Sequence, residues 1–302
     1  MTIKVTAESF IKNPVLKAEL SARFPDVLFW DRNTGLTEFC LDAEVLLVGR
    51  EKIDATFLSQ CPQLKHIAKY GVGLDNIDLL ACHERGISIG FTPGVNKTSV
   101  AEITLGFMLG AAHNVFYTGT ALKNGEWIKN GGMQLSGKTI GIIGVGNVGK
   151  ELIRMLHVFQ CKIMVNDIIN QDEFYLSNNL IESSKTEIYF NADLISVHVP
   201  LTAETHKFIS HEAFTAMKSE AVLINTCRGE VVDHEALKTA LHQNKIGAYI
   251  SDVFDPEPYS DEELLKHPRF FGTPHIAGNS TEAVLSMGRS AIHHIMEYVI
   301  NK

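Results

Sequence analysis

The sequence predicts an α/β protein built from two doubly wound parallel sheets, and three observations carry that expectation. Short apolar runs of strand type alternate with helix-period segments along nearly the whole chain, as parallel sheets with helical crossovers require. The alternation breaks at Thr92-Pro93-Gly94 and a second series starts at Thr139, so its 302 residues hold about two domains. At the head of the second series stands TIGIIGVGNVGKELIRMLHVFQ, with glycines spaced G-x-G-x-x-G between an apolar run and an amphipathic segment.

In the first series Ile3 to Thr6 reads as a strand, and Pro14 opens a helix through Leu16, Leu20 and Phe24. Val27 to Trp30, Val45 to Val48 and Leu64 to Lys69 read as strands, the last running into Tyr70-Gly71-Val72-Gly73. A helix with Leu79, Leu80 and Cys82 ends at Gly86, and Ile87 to Phe91 is one more strand. After the break, one long apolar helix is expected from near Ser99 past His113 towards Leu122. Its most apolar part, Val100 to Ala112, carries Glu102 and is too short to span a bilayer, so a buried or dimer-forming helix is expected.

The second series opens with Ile140, Ile142 and Ile143 as a strand. Val148, Leu152, Met155, Leu156 and Phe159 then recur at helical spacing, and Ile163 to Asn166 forms a second strand ending at Asp167. Strands follow at Leu194 to Val199, Ala221 to Asn225 and Gly247 to Asp252, with helices near Glu212 to Met217 and Asp233 to Gln243. The last segment, Ser280 to Ile300, has Ala283, Val284, Met287, Ala291, Ile295 and Val299 on one helical face, and no strand follows it.

The glycine turn points to a dinucleotide. Gly144 permits the tight turn, Gly146 lets backbone approach a pyrophosphate, and Gly149 lets the helix pack close to the strand. Amides of the helix N-terminus, with Asn147 and Val148 in its first turn, face the phosphates. Asp167 stands at the separation where a carboxylate accepts hydrogen bonds from the adenosine ribose, and no Arg follows it closely, since Ile168, Ile169 and Asn170 come next. A 2′-phosphate would be repelled there, so the cofactor expected is NAD rather than NADP.

Composition narrows the partners. A formal net charge of −8 argues against nucleic acid or an anionic membrane surface. Cys40, Cys61, Cys82, Cys161 and Cys227 are odd in number, widely spaced and form no C-x-x-C, which suits reduced thiols in a cytoplasmic protein and indicates neither a disulfide framework nor a metal site. The opening MTIKVTAESF lacks the apolar core of a signal peptide.

Hydride transfer at a nicotinamide needs a group that handles the hydroxyl proton and a cation that holds the substrate. Three strand ends offer them. The run Val222 to Asn225 leads into Thr226-Cys227-Arg228-Gly229, placing a guanidinium where it can bind a carboxylate through two parallel hydrogen bonds. The strand ending at Asp252 leads to Glu257, and Thr273-Pro274-His275-Ile276-Ala277-Gly278 supplies an imidazole whose protonated form a neighbouring carboxylate would favour.

These segments resemble the NAD-dependent D-isomer-specific 2-hydroxyacid dehydrogenases over nearly the whole chain. Besides the glycine turn, the matching stretches are YGVGLDNID (70 to 78), TPGVNKTSVAE (92 to 102), NADLISVHVPLTAETHKFIS (191 to 210), MKSEAVLINTCRGEVVDHEAL (217 to 237), SDVFDPEP (251 to 258) and TPHIAG (273 to 278). The resemblance implies Arg228, Glu257 and His275 as the catalytic residues. It implies a Rossmann cofactor domain (96 to 281) inserted in a flavodoxin-like substrate domain (1 to 95 and 282 to 302), a homodimer joined through the cofactor domains, and a cleft between the domains as the active site. Cofactor contacts would fall on Val72, Gly144, Gly146, Asn147, Val148, Gly149, Asp167, Val199, Thr226, Cys227, Arg228, Asp252, His275 and Gly278. Substrate contacts would fall on Lys69, Tyr70, Gly71, Val72, Gly73 and Asn96 together with Arg228. Val72 and Val199 can offer only backbone or apolar contacts.

Among subfamilies the loop AKYGVGLDNID is nearest to phosphoglycerate dehydrogenases, with Lys69 where those enzymes commonly have Arg. The resemblance therefore points first to 3-phosphoglycerate and 3-phosphohydroxypyruvate, and next to hydroxypyruvate, glyoxylate or another small 2-oxo acid. The chain ends at Lys302 without the regulatory extension of the longer phosphoglycerate enzymes, so serine feedback through such a domain is not expected. Formate dehydrogenases carry Gln where Glu257 stands. A reading of another class, an NADH-sensing binding module like the family's transcriptional corepressors, shares the three catalytic residues but lacks disordered extensions for recruiting partners.

Overall fold

In the computed structural model, which describes residues 1–302, the first series of apolar runs forms Ile3–Val5 (β1), Leu28–Phe29 (β2), Val45–Val48 (β3), His66–Lys69 (β4) and Ser88–Gly90 (β5). They pair in parallel in the order β2-β1-β3-β4-β5, the flavodoxin-like winding. β3 and β4 are buried at every position because helices cover both faces of the sheet. Asn13 caps the Pro14–Arg23 helix by accepting from the amides of Val15 and Leu16.

The terminal helix Thr281–Ile300 closes this unit. Its Ala291, Ile292 and Ile295 share a core with Val5, Phe10, Leu16 and Leu20. Contact is close: a Cβ on Gly90 of β5 would lie 2.4 Å from the Cβ of His294. The first unit is therefore Met1–Asn96 with Asn279–Lys302, and the second is Lys97–Gly278. The return crossing comes three residues before the expected boundary, because Ser280 already caps the terminal helix by accepting from the amide of Ala283.

One buried titratable group in this unit has a consequence for stability. The ring of His66 stacks on Tyr298 at 4.7 Å and 10°, its Nδ1 lies 2.8 Å from Ser88 Oγ, and burial, with a smaller contribution from His294, lowers its pKa from 6.5 to about 4. As pH falls below 6.5 the unfolded chain binds the proton first, so the neutral form's contribution is complete above that value and is lost towards pH 4. The loss is on the order of 3 kcal/mol. We expect the urea midpoint to fall between pH 7 and 4.5, and a His66→Gln variant to show a flatter dependence; equal slopes would contradict this account.

In the second unit Thr139–Ile143 (β6), Lys162–Asn166 (β7), Ile181–Glu182 (β8), Leu194–Val197 (β9), Val222–Asn225 (β10), Ala248–Ser251 (β11) and Phe270–Gly272 (β12) form one parallel sheet, ordered β12-β11-β10-β9-β6-β7-β8. Strand order reverses between β6 and β9, and beyond the carboxyl ends at such a switch point ligands bind in open α/β sheets. Apolar cores lie on both faces, one around Ile195, Leu223 and Tyr249, the other around Ile142, Leu152 and Ile224.

Two expectations need correction. The long helix after the break is two helices, Lys97–Ala112 and Val115–Lys123, because Asn114 turns left-handed (φ 53°), a conformation that asparagine tolerates well. Edge strands β8 and β12 went unread, being too short to show any periodicity. No helix is long and apolar enough to cross a membrane.

Candidate active site

Strand register sets the site. Ile143 of β6 pairs with Asn166 of β7 and with Val197 of β9; Val197 pairs with Asn225, Asn225 with Ser251, and Ser251 with Gly272. One level row of strand ends thus crosses the sheet. Immediately after that row come Gly144, Asp167, His198 with Val199, Thr226, Asp252 and Thr273. Arg228, Glu257 and His275 follow from β10, β11 and β12, three neighbouring strands spaced about 4.8 Å apart.

The imidazole and carboxylate meet directly. His275 Nδ1 lies 2.9 and 3.0 Å from the two oxygens of Glu257. An ionised Glu257 can only accept, so Nδ1 is the ring nitrogen that carries hydrogen in this pair. The His275 side chain is 34% exposed against 17% for Glu257, which suits an imidazole that reaches a ligand and a carboxylate that orients it. Glu257 is itself steadied by the amide of Phe254, which donates to its Oε1 at 3.1 Å.

His275 adopts a left-handed backbone (φ 54°). Such a conformation persists where surrounding bonds over-determine it, and Asp252 supplies those bonds. Its carboxylate accepts from Thr273 Oγ1 at 2.6 Å and from the amides of Ile276 and Ala277 at 2.8 Å, while its carbonyl accepts from the His275 amide at 2.8 Å. Asp252 is fully buried, and that burial raises its carboxyl pKa against these hydrogen bonds. It sits beneath the His275 loop as a brace.

The Arg228 loop has a comparable clamp that the residue pattern did not reveal. Asn225, fully buried at the end of β10, donates from Nδ2 to Arg228 O at 2.8 Å and accepts at Oδ1 from the amide of Cys227 at 3.0 Å. Arg228 Nη1 donates to Cys227 O at 2.6 Å. Burial pushes the Cys227 thiol up to about 11, so little of it is thiolate at neutral pH and it reacts slowly while its loop stays closed. A Cβ on Gly229 would lie 2.2 Å from the carbonyl carbon of Phe254, so this glycine allows the Arg228 loop to lie directly on the loop carrying Glu257.

At the other side of the switch point Gly144 turns at φ 97°, and a Cβ there would strike the carbonyl oxygen of His198 at 2.4 Å. A Cβ on Gly149 would strike Gly144 O at 2.2 Å. Around Gly146 no atom beyond its chain neighbours lies within 4 Å of an added Cβ, so the fold itself leaves room for a side chain there. The Asn147–Leu156 helix has no side-chain cap at its N-terminus, the arrangement that suits phosphate oxygens. Asp167 accepts from the amides of Val145 (2.6 Å) and Ile169 (2.9 Å), which ties it to the glycine turn and leaves further lone pairs for ribose hydroxyls. His198, bonded through Nε2 to Ser196 Oγ at 2.9 Å, is held neutral by burial, its pKa lowered to about 4.

In the first unit the loop after β4 is organised around Lys69. It is not the surface cation a lysine at a strand end usually is: only 5% exposed, it donates from Nζ to Gly49 O at 2.5 Å and to Asn76 Oδ1 at 2.6 Å. Asn76 in turn donates to Glu51 O at 2.5 Å. Tyr70 packs edge-on against Phe10 at 5.7 Å. Tyr70, Gly71, Val72, Gly73 and Asn96 are all partly exposed.

Residues 105–277, more than half of the chain, match the model of the D-isomer specific 2-hydroxyacid dehydrogenase NAD-binding domain. The chain belongs to that family. Within this chain the matched span contains the whole row of strand ends, and the uncapped helix, open Gly146 and Asp167 fit NAD. A D-3-phosphoglycerate dehydrogenase of Methanocaldococcus jannaschii is 37% identical over 84% of the chain, which spans only 50% of that longer protein. A hydroxypyruvate reductase of Thermotoga maritima is 35% identical over 85% of each. The solved D-lactate dehydrogenase of Aquifex aeolicus, complexed with NAD and lactic acid, superposes with a TM-score of 0.89 at 25% identity, covering 99% of this chain and 96% of that one.

Proposed function

We propose that this dehydrogenase reduces a small 2-oxo acid to the D-2-hydroxy acid with NADH and catalyses the reverse oxidation with NAD. The observation that carries the reading is the His275–Glu257 pair, with Arg228 on the neighbouring strand end. Arg228 binds the substrate carboxylate. His275, through Nε2, gives its proton to the carbonyl oxygen as the C=O π bond breaks, and Glu257 holds the ring by accepting from Nδ1–H. Bound NADH supplies the hydride that ends on C2. In the oxidation His275 takes the hydroxyl proton instead.

The cofactor's pyrophosphate would lie along Gly144, Gly146, Asn147, Val148 and Gly149 and its ribose at Asp167, with Val72, Val199, Thr226, Cys227, Arg228, Asp252, His275 and Gly278 as the remaining positions the resemblance assigns. Asp252 would act there chiefly by holding the loop. A homodimer through the cofactor unit belongs to the same reading, supported by Val115, Leu122 and Trp127, which are 55%, 56% and 80% exposed.

For the substrate, the bonds made by Lys69 favour an unphosphorylated 2-oxo acid such as hydroxypyruvate or glyoxylate over 3-phosphohydroxypyruvate, since that ammonium serves Gly49 and Asn76. Tyr70 to Gly73 and Asn96 would shape the space for the substrate side chain. The test follows NADH and NADPH separately against 3-phosphohydroxypyruvate, hydroxypyruvate, glyoxylate and pyruvate. We expect hydroxypyruvate or glyoxylate to lead, and NADH to exceed NADPH by roughly tenfold or more in kcat/KM, because Asp167 repels a 2′-phosphate. A preference for the phosphorylated acid would contradict the role given to Lys69, and equal or better use of NADPH the role given to Asp167.

A further inference from the structure

The helix Lys97–Ala112 is apolar on its buried side, with Val100, Ala101, Phe107, Met108 and Ala112, yet Thr104 in the midst of that face is fully buried. A buried hydroxyl is costly unless bonded, and Thr104 can satisfy itself: Oγ1 donates to Val100 O at 2.7 Å, one turn back in the same helix. Its single proton is thereby committed. Thr104 Oγ1 also lies 3.0 Å from Thr226 Oγ1, 122 residues away, so in that second bond Thr226 must donate and Thr104 accept. The first residue after β10, two before Arg228, is thus tied by its only hydroxyl proton to this helix.

The same helix holds the other loop. Ser99 Oγ donates to Ala277 O at 2.6 Å, and Ala277 lies two residues beyond His275. Ser99 and Thr104 are five residues apart, about 7.5 Å along a helix axis. One rigid element thus fixes, from two points, the loops of a guanidinium and an imidazole that must meet opposite ends of one small substrate.

We propose that Ser99 and Thr104 are positioning residues, and that the Lys97–Ala112 helix is a common brace setting the spacing between Arg228 and His275. The proposal rests on the catalytic reading of those two residues but not on turnover for its test. Cys227, between Thr226 and Arg228, reports on its loop through alkylation. In Thr104→Val, which keeps the volume and removes the hydroxyl, iodoacetamide is expected to modify Cys227 at least about fivefold faster than in the unsubstituted protein. Thr104→Ser, which restores the hydroxyl, should return the rate to within about twofold. In Ser99→Ala, amide exchange at Ile276 and Ala277 should accelerate by a similar factor. With these changes kcat/KM for the 2-oxo acid should fall about tenfold in Thr104→Val and recover in Thr104→Ser, while NADH binding stays within about twofold.

Unchanged Cys227 alkylation in Thr104→Val overturns the brace. So does faster alkylation shared equally by Thr104→Ser, since that would mark a general loosening, and so does a loosened loop with undiminished kcat/KM. Failure of the enzymatic reading shows differently, as no turnover by the unsubstituted protein, and the alkylation comparison then decides for or against the brace.

Discussion

Replacing His275 with alanine is expected to lower kcat by about three orders of magnitude, within the range that a positioned general acid–base supplies. NADH binding should change far less than kcat, because the glycine turn and Asp167 follow β6 and β7, away from β12, and His275 is one of many cofactor positions. Glu257→Gln should have a smaller effect, roughly tenfold, since an amide still accepts from Nδ1–H but no longer offers a negative charge to the imidazolium. Steady-state kinetics with NADH fluorescence titration separates the two quantities. A His275→Ala protein with kinetics like those of the unsubstituted one would end the proposed mechanism.

The second large effect is at Arg228. Arg228→Lys keeps the charge but loses the planar pair of donors, so KM for the 2-oxo acid should rise roughly 10- to 100-fold with a smaller fall in kcat. Loss of about 1.4 kcal/mol per factor of ten is the scale of one charge-assisted hydrogen bond. If kcat falls a hundredfold and KM stays the same, Arg228 acts on the transition state alone, and the carboxylate is held elsewhere.

These residues were legible because their signals are local and chemical. A strand that runs into Thr-Cys-Arg-Gly puts an unusual group at a carboxyl edge, Asp-Pro-Glu-Pro and Thr-Pro-His are distinctive short motifs in their own right, and the glycine turn declares its own backbone needs. What holds them was hidden for a physical reason: Asn225, Asp252, Thr104 and Ser99 act through partners defined only by three-dimensional pairing, as with Thr104 and Thr226. A polar residue fully buried at the end of an apolar strand was the available signal for Asn225. Lys69 shows the same limit from the other side, since its charge is plain in the sequence while its bonds to Gly49 and Asn76 appear only in the fold. The break at Asn114 was missed because apolar periodicity continues through it, and only the backbone of a single asparagine changes hand.

The central claim is that this chain moves a hydride between the nicotinamide and C2 of a small 2-oxo acid. NADH carrying deuterium at both C4 positions, incubated with the protein and hydroxypyruvate or glyoxylate, tests it most directly by mass spectrometry and chiral analysis of the product. The account predicts one deuterium at C2 of the hydroxy acid and, from hydroxypyruvate, the D isomer. Tight NADH binding without deuterium transfer to any 2-oxo acid would contradict it and leave a nucleotide-binding module in its place.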